Sequence, residues 1–280
     1  MPVKSLVSSK AVNKIYPLFI PQVGCPFKCI YCHQHKITKT NEIDWENNLK
    51  NIENFITKYK NTPKEIAFFG GTFTCLSVKE MQEYFDKVLP FFDDDTYFRI
   101  STRPDAINDN ILEFLQKNRV NTIELGVQSF SDIELSAANR GYSSQTAISS
   151  CQLIMGFGFF LSIQLMIGLP KADMNTYLDT IEILKRIKPQ YVRLYPLLVI
   201  VDTDLAVMYQ GKEYEPLSFE EAVNICILFL AACDEVNSKV IKIGLHSDID
   251  SQDILAGPFH PRFGEIIKKI KNDKKVLDTF

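Results

Sequence analysis

Three cysteines, Cys25, Cys29 and Cys32, stand in C-x3-C-x2-C spacing inside "GCPFKCIYCHQH" (24–35), a stretch that also holds His33 and His35. Residues of these types serve three chemistries. A structural zinc takes four ligands, and a second cysteine pair usually completes the set. No second C-x2-C pair occurs in this chain, His33 is too close to Cys32 to share one tetrahedral ion comfortably, and His35 is the better-placed fourth ligand. A thioredoxin-type redox pair would use Cys29 and Cys32 and leave Cys25 without a task. A four-iron cluster held by three thiolates uses all three and leaves one iron open. An open iron is a ligand site, which turns the chemistry from storing electrons toward activating a bound molecule.

Further polar and glycine-rich segments follow at intervals. "FFGGTFT" (68–74) places Gly70 and Gly71 before Thr72; glycines let backbone approach a ligand closely, although a plain turn is the ordinary use. It is no P-loop, because no Gly-Lys-Ser/Thr follows. "STRPD" (101–105) brings Ser101 and Arg103, where a solvated loop stopped by Pro104 is the ordinary reading. "ELGVQSF" (124–130) supplies Gln128 and Ser129, and "NRGY" (139–142) supplies Arg140, whose planar fork matches a carboxylate. "MIGLP" (166–170) offers Ile167, Gly168 and Leu169, or simply ends a buried strand. The tail "GLHSDIDSQDILAGPFHPRFGEII" (244–267) holds His246, His260 and Arg262 near several acids. It is not an EF-hand, since Asp253 falls where that loop requires glycine. It reads as a surface loop before a last helix, or as a cap in which His260 and Arg262 lie near substrate. Cys75, Cys151, Cys226 and Cys233 are scattered and read as buried small hydrophobes, with Cys75 nearest the glycine pair.

The elements that must position these residues are legible as short apolar, β-branched or aromatic runs: 16–21, 65–71, 97–102, 122–129, 161–168 and 191–199. Between them lie helical periodicities. One covers 77–92, with Val78, Met81, Phe85, Val88 and Leu89 on one stripe; another covers 174–187, with Leu178, Ile181, Leu184 and Ile187. Six β-α steps of this kind require right-handed crossovers and parallel pairing, so the fold is a doubly wound sheet or a full or partial β/α barrel. In either, functional loops follow the C-terminal ends of the strands, where every motif above falls. After about residue 200 the alternation weakens to an acidic loop, a helix over 218–236, a short strand near "VIKIGL" and a final helix from about 264.

Composition sets the bounds. The chain has 280 residues, 46% of them hydrophobic, enough for a large core. Its 31 basic and 34 acidic residues leave a formal charge of −3, which gives no whole-chain electrostatic footprint for nucleic acid. The opening "MPVKSLVSSKAVNK" lacks the apolar stretch of a secretory signal, and the close-set cysteines do not suit a disulfide framework. A cytoplasmic protein is expected. "LIMGFGFFLSIQLMIGLP" (153–170) is long enough to suggest a membrane span. Gly156, Gly158 and Gln164 interrupt it, however, and a helix end, a turn and a buried strand account for it better.

"GCPFKCIYC" directly after a first strand, an aromatic before the last cysteine, and the later motifs in this order resemble the radical S-adenosylmethionine (radical SAM) enzymes. The resemblance implies a [4Fe-4S] cluster on Cys25, Cys29 and Cys32 whose open iron binds the amino and carboxylate groups of S-adenosyl-L-methionine. One electron then cleaves the cofactor to methionine and a deoxyadenosyl radical. The resemblance further implies Tyr31 beside the adenine and Gly70, Gly71 and Thr72 on the methionine amino group. Ser101 and Arg103 would be additional cofactor contacts, with Gln128 toward the ribose, Arg140 toward the methionine carboxylate, and Ile167, Gly168 and Leu169 along the adenine. No catalytic residue beyond these is implied. The fold it implies is α/β, a partial (β/α)6 TIM-type barrel over 1–200 with a C-terminal α/β extension over 201–280 that closes the open side. An external one-electron donor such as flavodoxin or ferredoxin and a substrate that is a small molecule or of unknown class complete the set of partners.

Within that family, "LYPLLVIVDTDLAVMYQGKEYEPLSFEEAV" (194–223), with "TRPD", "ELGVQS" and "NRG", resembles the radical domain of the Elongator catalytic subunit and its small bacterial relatives. This likeness runs over about residues 15–223. Oxygen-independent coproporphyrinogen oxidases are similar more distantly. Elongator subunits space the first two cysteines more widely, usually carry His where Tyr142 stands, and continue into an acetyltransferase domain. Acetyl transfer is therefore not expected, and the acidic balance gives no support for tRNA as substrate. Two alternatives stand beside the radical enzyme. One is a non-catalytic or electron-transfer iron–sulfur protein, which would have no need of Arg140 and Gln128; the other is a tRNA-modifying, Elongator-like enzyme.

Overall fold

The structure is a computed structural model that describes residues 14–20, 25, 27–33, 36, 42–245 and 249–277. Its elements in chain order are β1 (Lys14–Phe19), α1 (Trp45–Lys58), β2 (Lys64–Phe69), α2 (Val78–Val88), β3 (Thr96–Thr102), α3 (Asp109–Lys117) and β4 (Val120–Gln128). There follow α4 (Asp132–Ala137), α5 (Ser144–Gly156), β5 (Phe160–Ile167), α6 (Met174–Ile187), β6 (Tyr191–Pro196), β7 (Val199–Ile200) and α7 (Asp204–Gln210). Last come α8 (Phe219–Glu235), β8 (Lys239–Ile243), β9 (Ile254–Ala256) and α9 (Phe263–Leu277). Seven strands form a sheet in the order β1-β2-β3-β4-β5-β6-β8, and β7 pairs β9 in a separate two-stranded sheet. The β-α alternation predicts this parallel α/β class, and the expected short strand near residue 240 joins the main sheet beside β6.

The chain divides into two compact units, passing between them after residues 26, 37, 126, 148 and 162. The first holds β1 to β3, most of β4 and helices α1 to α3. Its strands run parallel with Phe19 beside Phe69, Ala67 beside Arg99, and Ser101 beside Glu124. Alternation of side chains sorts the two faces. On one, Phe68 stacks on Phe73 and Phe98 with centroids 5.1 and 5.4 Å apart, and Phe85 of α2 meets Phe98 at 4.7 Å. On the other lies a buried ionic group: Arg99 Nε donates to Glu65 at 2.8 Å and Nη1 to Glu124 at 3.2 Å, while Thr122 and Asn121 donate to the second Glu65 oxygen. Buried charge persists where partners compensate its lost hydration, as here.

α2 starts at a capping box between Ser77 and Glu80. It ends four residues short of the apolar periodicity, because Pro90 lacks an N–H and the chain tightens into a 3-10 turn over Leu89–Phe91. Val78, counted in the apolar stripe, is exposed, as is Leu178 of α6.

The second unit pairs β6 with β8 in parallel, Tyr191 beside Lys239 and Leu194 beside Ile243. α6 meets α8 through Tyr177 and Phe229. The apolar run at 191–199 does not continue as one strand. It breaks at Pro196, Leu197 N–H bonds Ile167 O at 2.9 Å, and Val199–Ile200 pairs instead with β9. The segment 153–170 resolves into the end of α5, a turn at Gly158 with φ +87°, and β5. No helix among the described residues is long and apolar enough to cross a membrane.

Candidate functional site

The first strand leads straight to the cysteine loop. Ile20 N–H donates to Phe69 O at 2.7 Å, and at Gly70 an added Cβ would sit 2.2 Å from Ile20 O. With φ at +126° as well, only glycine fits there. Gly71 follows in a half-buried bend and Thr72 is buried. Thr72 Oγ1 lies 3.2 Å from Cys25 Sγ, so the glycine segment and the first cysteine are in direct contact. In the same unit Ser101 Oγ at the end of β3 is buried with no hydrogen-bond partner among the described residues. Arg103, also buried, forks onto Asp105 at 2.9 and 3.0 Å. Cys75 is exposed rather than buried, contrary to its reading as a small core hydrophobe. It ends a single 3-10 turn whose buried residues are Phe73 and Thr74, which leaves the third side chain facing out.

The other two cysteines belong to the second unit. Cys32 N–H bonds Cys29 O at 3.1 Å, which closes a turn around Ile30 and Tyr31. This turn is stitched to the segment after α4: Ile30 N–H bonds Ala138 O at 3.4 Å and Asn139 Nδ2 bonds Lys28 O at 2.8 Å. At Gly141, where φ is +74°, a Cβ would meet the Phe27 ring at 2.6 Å. "NRGY" is thus shaped by, and bonded to, the cysteine loop. Arg140 carries the chemistry of the contact. Its Nη1 donates to Cys29 Sγ at 2.9 Å and lies 3.3 Å from Tyr31 OH; its Nε donates to Tyr142 OH at 3.0 Å. Tyr142 OH in turn donates to Val127 O at 2.9 Å. Burial pushes the Tyr31 hydroxyl well above its ordinary value, against the pull of the Arg140 guanidinium.

Gln128, predicted as a cofactor contact, is buried with φ +67°, a left-handed backbone that costs a non-glycine residue energy. Ile167, Gly168 and Leu169 end β5, and Leu169 shares an apolar cluster with Leu197, Leu205 and Tyr214 against which Ile30 and Tyr31 pack. Tyr31 and Leu169 therefore belong to one apolar cluster. Two residues the sequence reading missed hold Gly168: its N–H donates to Tyr177 OH at 2.9 Å, and Tyr214 OH donates to its carbonyl at 2.7 Å. They lie beside a cavity of about 620 Å3 bordered by Gly168, Leu169, Tyr177, Met208 and Tyr214. Burial pushes the Tyr177 hydroxyl up to about 12 and Tyr214 in the same direction. Their signal in the sequence was no more than a tyrosine nine residues past Gly168 and another in "KEYEP".

A second missed group is Lys36, whose ammonium meets Asp253 at 2.7 Å and Asp202 at 3.0 Å. His260 and Arg262 are exposed; Arg262 pairs Glu265 at 2.7 Å, and His260 Nδ1 accepts from Arg262 N–H at 3.0 Å. His33 Nδ1 accepts from Lys36 N–H at 3.4 Å. His35 and His246 lie outside the described residues.

The donor set suits an iron–sulfur group. Cys25 and Cys29 each meet a hydrogen-bonding side chain, Thr72 and Arg140. Among the described residues no three His, Cys, Asp or Glu side chains stand together as a metal ion would need.

Comparison with known proteins places the chain. The family model "Radical SAM superfamily" matches residues 19–184, and "Radical_SAM C-terminal domain" matches 189–272. An uncharacterised protein of Methanocaldococcus jannaschii is 28% identical over 218 residues, 76% of this chain and 65% of its own length. A tRNA uridine(34) acetyltransferase of the same organism is 30% identical over 177 residues, 61% of this chain and 31% of its own. Among solved structures, archaeal Elp3 of Methanocaldococcus infernus aligns over 95% of this chain and 64% of its own, with TM-score 0.74 and 20% identity, and so shares the fold. The chain spans less than two thirds of each of these relatives. Cysteine spacing, ordered strand-end motifs, fold and family match converge: the chain belongs to the radical SAM superfamily.

Proposed function

We propose that the chain is a radical S-adenosylmethionine enzyme, with Cys25, Cys29 and Cys32 holding a [4Fe-4S] cluster and the strand-end loops binding S-adenosyl-L-methionine. The bound group would supply reductive cleavage of the cofactor to methionine and a deoxyadenosyl radical, which abstracts hydrogen from a substrate still to be identified. The observation that carries this reading is the buried Arg140 guanidinium on Cys29 Sγ, tied by Tyr31 and Tyr142. A cysteine kept only for packing has no use for such a partner.

The chain's own residues have distinct tasks in this reading. Thr72 and Gly70 shape the approach to Cys25; Arg140 offers a cationic fork to the cofactor's carboxylate; Gln128 and Ser101 offer polar atoms to its ribose and methionine ends. Tyr31 and Leu169 give the adenine an apolar wall that excludes water, and Tyr177 and Tyr214 fix the backbone of that wall at Gly168. A cytoplasmic flavodoxin or ferredoxin would supply the electron. The protein thereby contributes orientation and exclusion of water while the cofactor carries the hard chemistry. The 30% identity to a tRNA uridine(34) acetyltransferase favours tRNA as a second candidate for the substrate. Salt-dependent retention of bulk tRNA on filters would support it, and its absence would remove it.

The test is anaerobic reconstitution with iron and sulfide, reduction, and assay of bound iron with deoxyadenosine and methionine formed, beside Cys29→Ala. About four irons per chain with cleavage lost in the variant is the expected result. A full cluster without cleavage, with or without bulk tRNA present, returns the chain to an electron-transfer role, and no cluster overturns the reading.

A further inference from the structure

Arg140 is 5% exposed, and the groups that position it are held at fixed points: Tyr142, which accepts from its Nε, is anchored on the β4 carbonyl of Val127, and Asn139 and Gly141 hold the turn in left-handed backbone on either side. Its guanidinium thereby reaches the Cys29 sulfur, 2.9 Å from Nη1, beside the hydroxyls of Tyr31 and Tyr142. A charge-assisted hydrogen bond in buried surroundings is stronger than the same bond in water. Hydrogen bonds to ligand sulfurs and the charge around an iron–sulfur cluster are among the terms that set its reduction potential.

From this geometry we infer that Arg140 is a redox-tuning residue. Acting through Cys29, it stabilises the reduced, more negative cluster and raises its midpoint potential, so that a cellular one-electron donor can load the cluster. Its role is that of a positioning and electrostatic group, separate from its proposed contact with the cofactor's carboxylate. The inference rests on the reading that Cys29 is a cluster ligand.

The experiment uses the full chain, reconstituted anaerobically and titrated with dithionite without S-adenosylmethionine, so that cofactor binding does not enter. The reduced fraction is read by electron paramagnetic resonance. Wild type is compared with Arg140→Gln, Arg140→Lys and Tyr142→Phe. Arg140→Gln is expected to load iron like wild type and to show an about tenfold lower ratio of reduced to oxidised cluster at the wild-type midpoint, a shift of about 59 mV for one electron. Arg140→Lys keeps the charge and shifts less. Tyr142→Phe, which frees Nε and keeps the guanidinium, shifts in the same direction by an intermediate amount.

An unchanged or more positive midpoint in Arg140→Gln overturns the inference while leaving the cluster reading intact. If Arg140→Gln fails to load iron, unchanged midpoints in both other variants overturn it, and a negative shift in Tyr142→Phe supports it. Wild type that holds no cluster overturns the cluster reading and this inference together, a result distinct from the others.

Discussion

Cys25 and Cys29 differ from Cys151, Cys226 and Cys233 in what touches them. The latter three are buried, and burial pushes Cys151 and Cys233 up to about 12 and Cys226 in the same direction, so that they are thiols at any ordinary pH. Iodoacetamide on the metal-free protein at pH 8, followed by peptide mass spectrometry, should label Cys25 and Cys75 and spare these three. Cys75, although exposed, should keep gaining rate as pH passes its ordinary 9.0, because partial desolvation of its sulfur first and the Asp105 carboxylate second push its thiol up. Labelling of Cys151 before urea unfolds the chain would contradict this account. Residue types with chemistry were legible in the sequence; their partners were legible only when close along the chain. Arg140 could be chosen as a cationic fork, but its contact with Cys29 spans 111 positions and that of Lys36 with Asp253 spans 217. Neither has a periodicity that a sequence could display.

Elements were legible where apolar spacing repeats and blurred where one residue breaks the repeat. β2 to β5 emerge close to their expected places, whereas Pro90 shortens α2 and Pro196 splits the last apolar run. The start of β2 carries a feature no pattern announces. Lys64 is fully buried with its ammonium 2.7 and 2.8 Å from the Asp93 carboxylate in the turn before β3. Burial pushes the Asp93 carboxyl up, but bonds from Lys64, Thr96 and the Asp95 N–H outweigh it and hold it below its ordinary 3.8. A depressed carboxyl stabilises the fold above its unfolded-state value, and that contribution is lost as pH falls through the folded-state one. Asp93→Asn should therefore cost about 2–3 kcal/mol at pH 7, less than the about 3–5 kcal/mol of breaking a fully buried pair, because Asp93 is 31% exposed. Urea unfolding at pH 7 and pH 3 checks it: the gap between wild type and variant should shrink at pH 3, and an equal gap at both would show the charge to be irrelevant.

At the scale of the molecule, a cut after residue 200 looks natural in the sequence, since the β-α rhythm weakens there. Such a cut removes β8, which pairs along β6, β9, which pairs with β7, and α8, whose Phe229 meets Tyr177 of α6. The fragment 1–200 would expose an unpaired strand edge and an apolar helix face. Expressed alone, it should aggregate or lack a cooperative melt, while the full chain melts in one sharp transition by circular dichroism; a sharp transition for the fragment would mark residue 200 as a true domain border. The tyrosine bracket on Gly168 has a bearing on descent. Tyr214 sits in the short link between α7 and α8, flanked by the exposed acids Glu213 and Glu215. Lineages that diverge from this chain are free to exchange those acids. An insertion or deletion in the link, however, would slide the hydroxyl off the Gly168 carbonyl, so the length of the link should be inherited more strictly than its composition.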